Sequence, residues 1–175
     1  MIPPDSAGAV PPSDELWDFS VRLYARPGVA EACLDLQDVS RVNVPVLLLG
    51  AWLGRRSIAL DPGAIARIGA EAAPWHDQVV FPLRRLRRLL KDAPPPGRSP
   101  SADALRQRIK ASELEAERIE ITHLETLAGK LSLPATAPDA LSRNLAGIVS
   151  HYRGSELDEQ ALRAVATIAA ATPGV

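Results

Sequence analysis

The sequence predicts an all-α protein folded as one compact multi-helix domain, and three observations lead to that prediction. Helix-capping residues repeatedly precede stretches in which apolar residues recur every three or four positions. No stretch shows the strict alternation of apolar and polar residues that is typical of a half-buried β-strand. The chain has 175 residues, of which 46% are hydrophobic and 23% are charged, so it can bury a core without disulfide bonds.

The distribution of prolines predicts how the chain is organised. Residues 1–12 contain four prolines and no apolar periodicity, which predicts a flexible arm ahead of a helical domain spanning residues 13–172. Residues 92–100 form a proline-rich connection, and residues 101–132 then predict one long helix because they contain no proline. Two shorter helical patterns follow, over residues 138–152 and from residue 155 to about residue 170.

The first two helices are predicted from caps and apolar stripes. Ser13 is a suitable N-cap for the first helix, and Pro27 lies near the first turn of the second. The apolar stripe of the first helix consists of Leu16, Phe19 or Ser20, Leu23 and Tyr24. The second helix places Val29, Ala32, Cys33 and Leu36 on one face, so we expect Cys33 to be a buried thiol.

The third and fourth helices follow the same logic. Asn43 is a good N-cap, Pro45 is tolerated in a first turn, and residues 44–54 are apolar almost all round. This pattern predicts a central helix surrounded by its neighbours, with a buried strand as the alternative. Asp61 and Pro62 then start another helix, whose inward residues should be Ile65, Ile68 and Gly69.

A basic stretch from about Trp75 to Lys91 predicts an amphipathic helix that Pro82 bends. One side carries Leu83, Leu86, Leu89 and Leu90, together with Trp75 and Val79. The other side carries Arg84, Arg85, Arg87, Arg88 and Lys91, which form a possible contact face. We expect the leucines to be buried, so that Leu86→Asp would destabilise the protein by several kcal/mol, on the order of 3 or more.

The charges are distributed unevenly along the chain. Residues 75–110 carry nine basic and three acidic side chains (net +6), whereas residues 1–74 and 111–175 have net charges of −3 and −4. The long helix carries Glu113, Glu115, Glu117, Glu120 and Glu125. If the proline-rich connection reverses the chain, the basic helix meets an acidic one as an antiparallel hairpin. The basic face is then paired internally or solvated; a phosphate-binding surface is the alternative.

Candidate chemistry is sparse. Glu120 and His123 have the spacing of a weak metal-ligand pair, but a second such motif is missing, and neither nucleotide-binding fingerprint occurs. His76 and Asp77 are adjacent, which is a poor arrangement for a mutual hydrogen bond on a helix. The aromatic residues that could form either a pocket or simply core are Trp17, Phe19, Tyr24, Trp52 and Trp75.

Several short motifs in the first half resemble a known family. These motifs are Leu16-Trp17-Asp18-Phe19, Tyr24, Pro27-Gly28-Val29, Cys33-Leu34, Leu36-Gln37-Asp38, Asn43 and Trp52-Leu53. Together with a weaker match in the long helix, they span about residues 14–128. The pattern resembles a family of short proteobacterial proteins, domain of unknown function 2390. The resemblance implies a bacterial, helical, cytoplasmic protein, with no catalytic residues to carry over.

These observations lead to the hypothesis of a noncatalytic helical protein that contacts another macromolecule, most simply a protein. A nucleic-acid- or ribosome-associated factor using residues 84–91 is the first alternative, and a metal-binding or enzymatic bundle is the second. No cofactor is expected. The longest apolar run, residues 44–54, is too short to span a membrane, and no secretory signal is visible, so we expect a cytoplasmic location. The sequence leaves the oligomeric state open.

Overall fold

The computed structural model describes residues 15–92, 99–131 and 137–175, and these parts of the chain contain helices and no strands. The α-helices are α1 (Glu15–Tyr24), α2 (Val29–Ser40), α3 (Val44–Arg55), α4 (Pro62–Trp75), α5 (Phe81–Lys91), α6 (Pro100–Ala128), α7 (Ala140–Arg153) and α8 (Glu159–Ala171). The all-α prediction, with one long helix in the second half, is therefore confirmed. The expected arm (residues 1–12), the Ser13 cap and most of the proline-rich connection lie outside the described residues.

Several predicted helix starts are confirmed, and others move by a few residues. The side-chain oxygen of Asn43 accepts a hydrogen bond from the N–H of Val46 (3.3 Å), and that of Asp61 accepts one from Ala64 (2.7 Å). The second helix begins after Pro27, because Gly28 adopts the left-handed conformation (φ 79°) and serves as the N-cap. The long helix runs over 29 residues, begins one residue before Ser101 and ends at Ala128.

The core is centred on α3. This helix packs on α7, α6 and α1, and almost all of its residues are buried, which confirms the predicted central helix. A Cβ at Gly54 would collide with the backbone of Leu141, so glycine is what allows α3 and α7 to approach this closely. The predicted inward residues Leu16, Phe19, Ser20, Leu23, Val29, Ala32, Cys33, Leu36, Ile65, Ile68 and Gly69 are buried, whereas Tyr24, the last residue of the predicted α1 stripe, is 37% exposed.

A fully buried amide fastens α3 to the segment that follows it. The Nδ2 of Asn144 in α7 donates to the carbonyl oxygens of Gly50 (3.1 Å) and Ile58 (2.9 Å). Its Oδ1 accepts a hydrogen bond from the N–H of Leu60 at 2.7 Å. Because all of these polar groups are satisfied, the side chain can be fully buried without an unpaired donor or acceptor.

The helix expected from Trp75 to Lys91 has a different construction. Helix α4 continues to Trp75, a π-helical turn covers His76–Val80, and α5 follows directly. In this turn the N–H of Phe81 donates to the carbonyl of His76, five residues back. The widened turn stands immediately before Pro82, whose ring would collide with the preceding turn of a regular α-helix.

The π-turn changes which side of α5 faces the protein. Ile65, Ile68 and Ala72 of α4 are buried. A regular helix with about 3.6 residues per turn would continue this face through residues 79, 83, 86 and 90. The π-turn adds one residue to the path, so the buried positions are instead Val80 and Arg84.

The predicted burial of the leucine stripe is consequently wrong. Leu86 is 43% exposed and Leu89 is 54% exposed, while Leu83 and Leu90 are half-buried. Arg84, which was expected on an exposed contact face, is only 6% exposed. The inward side of this helix is therefore centred on Arg84, while Leu86 and Leu89 are exposed.

Candidate interaction surface around the α5–α6 ion pairs

Two arginines of α5 and two glutamates of α6 form an ion-pair cluster. The Nε of Arg84 donates to Glu113 at 3.0 Å, and its Nη2 donates to Glu117. Arg87 donates to both carboxylate oxygens of Glu113, with its Nη2 at 3.1 Å from Oε1. The order of these pairs, in which the earlier arginine reaches the later glutamate, shows that α5 and α6 are antiparallel. The predicted hairpin of a basic and an acidic helix is thus present, but its central pairs are buried.

The two glutamates of the ion-pair cluster respond differently to this environment. Burial would raise the pKa of Glu113, but hydrogen bonds from Arg87 and Arg84 outweigh it and hold that pKa below the usual value. Burial raises the pKa of Glu117, and the negative charges of Glu113 and Glu120 add to this effect despite the attraction of Arg84. Glu113 is therefore the principal counter-ion of the two guanidinium groups.

The ion-pair cluster extends to α1 and α2 at its edge. The Nη2 of Arg88 lies 2.8 Å from Asp38 Oδ1, and both side chains are partly exposed. Tyr24 at the end of α1 interacts electrostatically with Glu31, Glu117 and Arg84. Burial is the main cause that raises the pKa of this phenol to about 12, so Tyr24 stays protonated at neutral pH.

A second buried polar group joins α3, the π-turn and α6. Glu120 is 1% exposed; its carboxylate accepts a hydrogen bond from Asn43 Nδ2 (2.6 Å), and its other oxygen lies 3.2 Å from His76 Nδ1. The ring nitrogen of His76 and the carboxyl group of Glu120 are therefore within hydrogen-bonding distance of each other. Asn43 therefore serves both as the cap of α3 and as a partner of Glu120.

The metal-ligand hypothesis for Glu120 and His123 does not fit this arrangement. Glu120 points into the protein towards Asn43 and His76, whereas His123 is exposed. Within residues 15–92, 99–131 and 137–175, no group of three or more His, Cys, Asp or Glu side chains could hold a metal ion. Residues three apart on a helix point about 60° from each other, and here this angle places Glu120 inside the protein and His123 at its surface.

The aromatic residues divide between core and surface instead of lining a common pocket. Phe19 is buried, and Trp17 and Trp52 pack against the core with arginines over their rings, Arg118 at 5.4 Å and Arg56 at 3.8 Å. Tyr24 and Trp75 are each 37% exposed, and the Trp75 indole N–H donates to the carbonyl of Ala116 (3.0 Å). These aromatic side chains thus hold neighbouring helices in contact with one another.

The remaining reactive groups offer little chemistry. Cys33 is fully buried, and burial raises the pKa of its thiol to about 12, which leaves almost no thiolate at neutral pH. A small cleft between α2 and α8, lined in part by Asp35, Ser40 and Arg153, has room for about one water molecule. Such a cleft is too small for an organic substrate.

The side of α5 that points away from α6 is largely apolar. It exposes Phe81, Arg85, Leu86 and Leu89, and we call these four residues the outward face. Three of the four are large apolar side chains that are 43–54% exposed. The sequence did not predict the outward face because the phase of α5 depends on the π-turn. The two prolines near that turn, Pro74 and Pro82, were the available signal of an irregular helix.

The described chain is thus an all-helical protein whose helices are joined by a buried ion-pair cluster and a buried carboxylate. It belongs to the family described as "Protein of unknown function (DUF2390)", which matches residues 15–124 of the 175. No curated protein and no solved structure gave a significant match to the chain. No helix in the described segments has the length and apolar character needed to cross a bilayer.

Proposed function

We propose that this protein is a noncatalytic, cytoplasmic interaction protein that binds another protein through the outward face. The observation that carries the proposal is the orientation of α5, which buries Arg84 and leaves Phe81, Leu86 and Leu89 exposed. A single exposed leucine is ordinary on a protein surface, but a cluster of large apolar side chains on one helix is typical of a docking surface. The single cysteine, a buried thiol, fits a reducing compartment.

The ion-pair cluster gives the outward face a rigid support. Arg84 and Arg87 are held by the carboxylates of α6, so α5 cannot turn its leucines inward without leaving Glu113 and Glu117 without their cations. An apolar face fixed in this way is preorganised for a partner, which reduces the entropy lost on binding.

The nucleic-acid alternative has less support from the same contacts. Three of its candidate cations, Arg84, Arg87 and Arg88, already face carboxylates, which reduces the positive charge available to phosphate groups. The exposed residues beside Arg85 are apolar and cannot read base edges through hydrogen bonds.

Site-specific photo-cross-linking in the native cell tests the proposal. A photoreactive amino acid replaces Leu89, which is 54% exposed, and in a matched control it replaces Leu162 of α8, which is 53% exposed. We expect discrete protein adducts from position 89 and none from position 162.

Equal adducts at both positions, or none at position 89, would overturn the proposal. Adducts at position 89 that contain nucleic acid would favour the alternative function. Retention of the purified protein on RNA or DNA that falls steeply with salt would point the same way.

A further inference from the structure

Helix α2 presents an acidic face to solvent. Its exposed residues are Glu31, Leu34, Asp35, Asp38 and Val39, spaced so that they share one side of the helix, and we call them the acidic face. Leu34 is 41% exposed and Val39 is 60% exposed, so this face also combines charge with apolar side chains. The opposite side of α2 is packed into the core.

The outward face has the opposite charge and a similar apolar content. Phe81, Arg85 and Leu89 follow one another at intervals of four residues and therefore form one line along α5. Phe81 is 53% exposed, and Arg85, in the middle of the line, is exposed as well. An arginine between two large apolar side chains suits a surface that has apolar side chains between carboxylates.

The acidic face and the outward face are neighbours on one molecule. Arg88 of α5 and Asp38 of α2 join the two helices at 2.8 Å. Tyr24 lies within electrostatic reach of both Glu31 on α2 and Arg84 on α5. An acidic-apolar helix and a basic-apolar helix are thus joined by an exposed ion pair near their C-terminal ends.

We propose that a second copy of this chain covers this surface, with the acidic face of each protomer on the outward face of the other. Two adjacent faces of opposite charge become self-complementary when a two-fold axis runs between them, and this is the geometry of an isologous dimer. Each protomer contributes both faces, so each charge contact occurs twice. This inference rests on the proposed function, since it names a second copy of the chain as the protein that the outward face binds.

The size of the surface sets the expected affinity. Helices α2 and α5 have 12 and 11 residues, so each is roughly 17 Å long. Two helices of this length give a small interface compared with permanent dimers. We therefore expect a reversible dimer whose population depends on protein concentration and falls when salt screens the charges.

Analytical ultracentrifugation of the full chain with charge-reversed variants tests the dimer. Arg85→Glu reverses the outward face, the pair Glu31→Lys and Asp35→Lys reverses the acidic face, and a third variant combines all three changes. We expect each variant that reverses only one of the two faces to raise the dimer Kd about tenfold or more, because like charges then meet across the interface. The combined variant, in which both faces have exchanged sign, should return to within about threefold of the wild-type Kd.

Arg67→Glu serves as the control because it makes the same charge change on α4, at an exposed position. It lies 18 residues before Arg85 on the same helical path, a distance of about 27 Å, and should leave the Kd unchanged. All of the changed side chains are exposed, and circular dichroism checks that each variant keeps its helical content.

The inference is wrong if the protein stays monomeric up to about 100 µM, which is about 100 times a Kd of 1 µM. It is also wrong if the protein dimerises but the charge reversals leave the dimer Kd unchanged. Failure of the combined variant to recover also overturns it, because the two faces would then not meet. The proposed function is judged separately: a monomeric protein that still forms adducts from position 89 with other proteins loses only the dimer.

Discussion

Helices α3 and α5 have similar lengths and carry seven and five large apolar residues, yet the protein buries them in different ways. Helix α3 is buried along nearly its whole length, and Leu47 and Leu49 are fully inaccessible. In α5 the buried residue is Arg84, while Leu86 and Leu89 are exposed. The difference follows from the neighbouring helices. Helix α3 meets apolar residues of α7 such as Ile148, whereas α5 meets the carboxylates of α6.

The comparison teaches that the face a helix buries depends on its neighbour and on its phase as well as on its own amphipathicity. Burying a paired arginine costs desolvation energy, and a buried ion pair often contributes little net stability. Its contribution to the specificity of helix packing is clearer, because the buried guanidinium of Arg84 needs the carboxylates of Glu113 and Glu117 as partners. The apolar side of α5 is thereby left for contacts outside the chain.

The largest effect is expected in α3. Leu49→Asp places an unpaired carboxylate in a fully buried position, so we expect a loss of about 4 kcal/mol or more in the free energy of unfolding. Urea unfolding followed by circular dichroism measures the change. A loss below about 1 kcal/mol would mean that α3 is not the core helix described above.

A smaller but substantial loss is expected at the ion-pair cluster. Glu113→Ala removes the carboxylate that both Arg84 and Arg87 contact, and the loss should be about 3 kcal/mol because buried cations remain without their partner.

A second variant separates charge pairing from simple loss of packing. Combining Glu113→Leu and Glu117→Leu with Arg84→Met and Arg87→Met replaces the whole ion-pair cluster with apolar side chains and should be less destabilising than Glu113→Ala alone. If the combined variant is the less stable of the two, the ion pairs contribute more than desolvation costs.

The two glutamates of the ion-pair cluster should show opposite pH responses of about 1 kcal/mol. The lowered pKa of Glu113 means that its charge stabilises the fold above its ordinary value of 4.5, and this stability is lost as the pH falls through the lowered pKa. Glu113→Gln should therefore be less stable than wild type at pH 7, with a difference that shrinks in acid.

Glu117 follows the reverse relation. Its raised pKa contributes stability below its ordinary value, and that contribution is lost as the pH rises through the raised pKa. Glu117→Gln should therefore be at least as stable as wild type at pH 7, and the two should converge in acid. Urea unfolding at pH 7 and pH 4 distinguishes these signs, and the same sign for both variants would contradict the assignment.

The smallest effect is expected on the outward face. Leu86→Asp should change the free energy of unfolding by about 1 kcal/mol or less, because this side chain is 43% exposed in α5. The sequence alone led to the opposite expectation for this substitution. A loss comparable to that of Leu49→Asp would show that the leucine side of α5 is buried after all.

Features that depend on a few neighbouring residues could be predicted from the sequence. The caps at Asn43 and Asp61, the burial of Cys33 and the all-round apolar character of α3 follow from local rules, and the structure confirms them. The antiparallel meeting of a basic and an acidic helix could be predicted as well, because the charges change sign on the two sides of a proline-rich connection.

The orientation of α5 could not be predicted in the same way. Whether Leu86 or Arg87 faces α6 depends on the π-turn at His76–Val80, in which the N–H of Phe81 donates to a carbonyl five residues back instead of four. The partners of Glu120 come from α3 and the π-turn, 77 and 44 residues away, and no local pattern connects them. Tertiary packing decides both outcomes.

The π-turn at His76–Val80 means that the identity of the exposed surface depends on the length of the chain at one point. Deleting a single residue there would restore the regular hydrogen-bond ladder and turn everything after it by about 100° about the helix axis. Leucines at positions 83, 86 and 90 would then be presented to Glu113 and Glu117, and the guanidinium groups would be presented to water. Deletion of one codon would thus replace an apolar exposed surface with a cationic one without altering any side chain on α5.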